Sequence, residues 1–71
     1  MKKTQVLFGK KLNMVRKARG LSQEKLAEIT GVSLNLVGRV ERGEHNLTLD
    51  RIVDFAHALK VKPTELFELI P

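Results

Sequence analysis

Residues 21 to 43, from Leu21 to Gly43, read LSQEKLAEITGVSLNLVGRVERG, and this stretch decides the fold. Ser22 and Ser33 each precede an apolar-periodic run. A serine hydroxyl in that place accepts a hydrogen bond from a backbone N–H that the first helical turn leaves unpaired. Each cap is bracketed by a hydrophobic staple, Leu21 with Leu26 and Val32 with Val37. Two helices are therefore expected to start at Ser22 and Ser33. The first ends at about Thr30, because Gly31 takes the left-handed conformation that closes a helix at little steric cost. The second ends at Arg42, closed in the same way by Gly43. Only Thr30 to Ser33 remains as connection, and two helices joined by so short a turn containing Gly carry the helix-turn-helix signature.

The second helix has two unlike faces when its residues are laid out at about 100° each. Val37, Val40 and Glu41 fall on the side of the capped turn. Asn35, Gly38, Arg39 and Arg42, at i, i+3, i+4 and i+7, fall on the other. That outer face offers an amide, two guanidinium groups and a glycine. Arginine forks onto guanine O6 and N7, and asparagine pairs with adenine N6 and N7, so these side chains suit the base edges of a major groove. Gly38 in mid-helix costs ~1 kcal/mol relative to Ala; on a binding face it removes the side chain that would hold another backbone or a sugar at a distance. Leu34 flanks the face, as core edge or against a thymine methyl. Leu36 shares an i, i+4 ridge with Val40 and reads as core edge.

The run LSQEKLAEITGVS, followed by VERG, resembles the helix-turn-helix domain of the phage lambda and 434 repressor and Cro family, which includes the small controller proteins of restriction-modification systems. The Ser-Gln opening of the first motif helix, the Leu-Ala pair, the turn glycine and the closing Glu-Arg-Gly carry the resemblance, which extends from Phe8 to Ile70. It implies an all-α, compact five-helix lambda-repressor-like DNA-binding domain with the helix-turn-helix formed by helices 2 and 3. It also implies that Leu34, Asn35 and Arg39 read bases and that Gln23 meets a phosphate. Lys17, Arg19, Arg42, His45 and Asn46 are expected along the sugar-phosphate backbone, with Leu36 and Gly38 counted on the same side. Leu34 and Gly38 stand where small or polar residues are usual, so the resemblance transfers no operator sequence.

Composition bounds the alternatives. A chain of 71 residues is one domain, and it has no cysteine for a disulfide or a thiolate metal site. No apolar run approaches the ~18 residues that cross a bilayer, and a reducing cytoplasm is the expected compartment. The resemblance adds a bacterial or phage-encoded, nucleoid-associated setting. The net charge of +5 suits a polyanionic partner. All of the excess is N-terminal: Lys2, Lys3, Lys10, Lys11, Arg16, Lys17 and Arg19 stand in the first 20 residues with no acid among them. Here the basic run precedes a helix-turn-helix whose neighbouring helix crosses the phosphate backbone.

Residues 1 to 5 read as a frayed basic arm. Phe8, Leu12 and Val15 mark an amphipathic helix from Val6 to about Arg19, with Lys10, Asn13 and Lys17 opposite. Arg16 extends the Phe8–Leu12 ridge and Glu41 extends that of Val37, so both lean inward and need partners. They are expected to pair, as the corresponding residues of the resembled family do. In the first motif helix Leu26, Ala27 and Ile29 face the core, while Glu24, Lys25 and Glu28 face out. Thr48 caps a fourth helix ending at Leu59, with Ile52, Phe55, Ala56 and Leu59 as its buried stripe. A fifth helix runs from Pro63 to Leu69. Leu66, Phe67, Leu69 and Ile70 exceed what so short a helix buries alone, which makes residues 63 to 70 the expected contact with a second copy.

The reading is a sequence-specific DNA-binding transcriptional regulator, repressor or activator, acting as a homodimer on a palindromic operator, with RNA polymerase as a possible further partner. The alternative is a protein-interaction module, such as an antitoxin, that binds a polypeptide through the same fold. An enzyme is not expected, since there is no glycine-rich phosphate loop and too little chain to enclose a pocket. His45 and His57 lack metal-ligand spacing. No cofactor, metal, membrane or small-molecule substrate is expected.

Overall fold

A computed structural model of the chain describes residues 2 to 68. Within them lie α1 (Lys3–Ala18), α2 (Gln23–Thr30), α3 (Leu34–Glu41), α4 (Leu49–Leu59) and a closing 3₁₀ turn (Pro63–Phe67). The all-α class agrees with expectation, but there are four α-helices among the described residues rather than five. The segment after Pro63 is held by i→i+3 bonds, such as Glu65 N–H to Lys62 O at 2.9 Å. It is too short for its few residues to propagate an α-helical ladder. Leu69 and Ile70 lie outside the described residues.

The helix starts follow from the caps. Ser22 Oγ accepts from Lys25 N–H at 3.0 Å, Ser33 Oγ from Leu36 N–H at 3.0 Å, and Thr48 Oγ1 from Arg51 N–H at 3.2 Å. Gly31 stands at φ +74°, where a Cβ would be strained, and turns the chain between α2 and α3. At the N-terminus the frayed arm gives way to helix: α1 begins at Lys3. Gln5 Oε1 accepts the Lys2 N–H at 3.1 Å, and Val6 N–H already bonds to Lys2 O, so the first orphan donors are satisfied locally.

Phe8, Leu12, Leu26, Ala27, Val37, Val40, Ile52, Phe55, Ala56, Leu59 and Leu66 form one core to which every element contributes. α1 crosses α3 with no room to spare at Gly9. A Cβ there would stand 2.7 Å from Glu41 O and would also collide with Val40 O. Leu66 is fully enclosed in this core, so the side chain expected at a two-fold contact is consumed within its own domain. Phe67 remains 38% exposed, its ring tilted against Phe8 at 5.5 Å between centroids. Ile29, expected inside, is 49% exposed: Leu26 and Ala27 fill the inward face of α2, and Ile29 sits at the rim beside Ala58 of α4.

Candidate nucleic-acid interface

α3 is fixed to the rest of the molecule through one carboxylate. Arg16 Nε donates to Glu41 Oε2 at 2.6 Å and Nη2 to Oε1 at 3.1 Å, while Nη1 donates to Leu21 O at 2.7 Å. The expected ion pair is therefore present, and both side chains are at least nine-tenths buried. Glu41 Oε1 accepts two further bonds, from Asn13 Nδ2 at 2.8 Å and from Gln23 Nε2 at 2.9 Å. Burial by itself would push the Glu41 carboxyl up. Hydrogen bonds from Arg16, Asn13 and Gln23, with the Arg16 charge, outweigh it and hold the group below its ordinary value. The hub joins α1, α2 and α3, and among the described residues it leaves no buried side-chain polar atom without a partner. Apolar periodicity places Asn13 on the solvated side of α1, because it cannot register a donor that a distant carboxylate needs.

With its inner side locked, α3 presents the other to solvent. Asn35 and Arg39 are exposed, and Leu34 is 48% exposed at the first turn. Val37 and Val40 are buried, and Leu36 is half-buried against the core. Above Gly38 lies the chain's own Arg42: a Cβ at position 38 would be 3.0 Å from Arg42 Nη1 and 3.9 Å from Gln23 Oε1. Arg42 itself pairs with Glu44, a residue that the sequence reading passed over. An acid immediately after the helix-closing glycine was the available clue.

The flanking residues are less uniform. Lys17 is exposed at the end of α1. Arg19 is exposed too, and its Nη2 donates to Lys60 O at 3.3 Å, which ties it to the end of α4. Asn46 is exposed and His45 half-buried in the loop after α3. Gln23 has one amide hydrogen committed to Glu41, leaving its second and its oxygen beside Gly38. Among the described residues no group of three or more His, Asp or Glu could hold a metal ion, and no helix is long and apolar enough to cross a membrane.

Two short capped helices, a glycine turn, and a locked second helix with an amide and guanidinium groups outward define a helix-turn-helix protein. The chain belongs to the helix-turn-helix family, whose model matches residues 4–66. It is similar to control protein C.BamHI of Bacillus amyloliquefaciens, 36% identical over 64 residues that span 89% of this chain and 79% of that one. It is also similar to control protein C.SmaI of Serratia marcescens, 37% identical over 60 residues, 84% and 71% of the two chains. Among solved structures, the restriction-modification controller protein C.AhdI from Aeromonas hydrophila matches with a TM-score of 0.86 and 48% identity, over 89% of this chain and 96% of that one. The family is one of transcriptional regulators, not of enzymes.

Proposed function

We propose that this chain is a sequence-specific DNA-binding transcriptional regulator of the restriction-modification controller kind, working in the cytoplasm as a homodimer on a palindromic operator. The single observation that carries the reading is the division of α3: a buried carboxylate hub on one side, and exposed Asn35 and Arg39 on the other. In this reading α3 enters the major groove. Asn35 and Arg39 specify bases, and Leu34 meets a thymine methyl. Lys17, Arg19, Gln23, His45 and Asn46 set position along the phosphates. Leu36, Gly38 and Arg42 are left out of that set: Leu36 packs against the core, Arg42 covers Gly38, and Arg42 is itself forked to Glu44. Occupancy of a promoter then blocks RNA polymerase or recruits it by contact.

Self-association is supported by unpartnered apolar surface. Leu49 and Val53, one turn apart on α4, are 79% and 38% exposed, and Phe67 is exposed to a similar extent. A dimer of this kind reads two half-sites with its α3 helices ~34 Å apart along one face of the duplex.

The test is selection from a random duplex pool at about physiological ionic strength. The expected product is an inverted repeat with half-sites about one turn apart. Arg39→Ala should relax one base preference by ~1–3 kcal/mol, and Asn35→Ala another. Recovery of no preferred sequence would reject the reading.

A further inference from the structure

Arg42 and Glu44 form a fork at the end of α3, and its geometry is directional. Glu44 Oε2 accepts from Arg42 Nε at 3.0 Å and Oε1 from Nη2 at 3.3 Å, so one edge of the guanidinium is occupied. The third nitrogen, Nη1, lies over Gly38, 3.0 Å from where a Cβ would stand. The guanidinium thus folds back along α3 into space that any other residue at position 38 would crowd. Glu44 is itself held: its backbone N–H donates to Arg39 O at 2.8 Å. The Arg42 hydrogen bonds, with the charges of Arg42 and Arg39, keep its carboxyl below the ordinary range, so it is ionised at neutral pH.

We infer that Glu44 is a positioning residue for operator recognition, holding Arg42 over Gly38 and away from phosphates so that binding to unrelated DNA is suppressed. The inference rests on the reading of α3 as the helix that enters the groove. An unpaired arginine at this helix end would be a mobile phosphate ligand, adding affinity for every DNA sequence alike. Forked to Glu44, it adds no net charge, and the carboxylate repels any phosphate that approaches its occupied edge. What remains free is the Nη1 edge, beside Asn35 and Arg39 on the same face. The glycine at position 38 leaves that seat open.

The test uses the full chain, an operator duplex recovered by selection and an unrelated duplex of equal length, each titrated over a range of salt. Glu44→Gln should bind unrelated DNA roughly five- to tenfold more tightly near 0.1 M salt, with a salt slope steeper by ~0.9, the signature of one more phosphate contact. Operator affinity should change less, so the ratio between the two falls. In an Arg42→Ala background the same Glu44→Gln change should leave the slope for unrelated DNA unaltered. Equal steepening in that background would overturn the inference, because Glu44 would then act as a bare negative charge and not through Arg42. An unchanged slope for Glu44→Gln alone would overturn it as well. If the unsubstituted protein failed to prefer its selected duplex, the recognition reading would fall first and the inference with it.

Discussion

Glu41 is one side chain on which three helices converge, and its chemistry yields two measurable consequences. Removing a partner from a buried ion pair leaves the other charge uncompensated, at a cost of about 3–5 kcal/mol. Glu41→Ala should therefore lower the melting temperature by more than about 10 °C for a domain of this size. An unchanged melting curve would refute the hub. The second consequence concerns pH. The folded carboxyl lies below its ordinary value of 4.5, so its stabilisation is complete above that value and is lost as pH falls through the lower, folded one. Denaturant unfolding followed downward from pH 7 should show this loss in the natural protein, and a flatter acid limb in Glu41→Gln. The apolar ridges showed that Arg16 and Glu41 each lean inward and need a partner, and the family resemblance paired them. Asn13 was not legible, since its role exists only once the distant carboxylate has arrived, and neither was the Arg42–Glu44 fork.

At the scale of the element, the caps were the most readable features. Ser22, Ser33 and Thr48 all accept the bond expected of them, because capping is decided within four residues of chain. Ser33→Ala should cost ~1 kcal/mol, seen as a fall of about 4–8 °C in melting temperature. Helix crossings are a different matter, since they depend on residues far apart in sequence. Gly9 looks like an unremarked glycine in an amphipathic helix, yet it is where α1 rests on the backbone of α3. Gly9→Ala, ordinarily favourable in a helix, should here destabilise by about 1–3 kcal/mol, because the obstacle is backbone carbonyl and cannot rotate away. A thermal melt equal to or above that of the natural protein would remove Gly9 from the crossing. The expected fifth helix failed for a related reason. Pro63 at the favoured first helical position predicted it, but Leu66 is taken into the core and the chain around it closes as a short 3₁₀ segment.

For the whole molecule, the fold class and the position of the reading helix were recoverable from one stretch of sequence, while the assembly was not. Apolar surface shows that something is to be covered, and the residues that remain exposed are decided only when the core has taken its share. Leu66 went inside, whereas Leu49 and Val53, outside the correctly read stripe of their helix, stayed exposed. If a second copy covers them, stability is linked to concentration. The melting temperature should then rise as protein concentration is increased, and Leu49→Asp should abolish that rise while leaving the monomer folded, as judged by sedimentation equilibrium and circular dichroism. A melting temperature independent of concentration in the natural protein would argue against a stabilising dimer.

The two sides of α3 have a historical implication. The groups that hold the helix, Val37, Val40 and Glu41, and those that face outward, Asn35 and Arg39, share two turns of backbone but no contacts with one another among the hydrogen bonds of the hub. Substitutions on the outer side are thus nearly free of consequence for folding. If Asn35 and Arg39 read bases, as proposed, a lineage carrying this frame can change its recognition letters one at a time without giving up the fold.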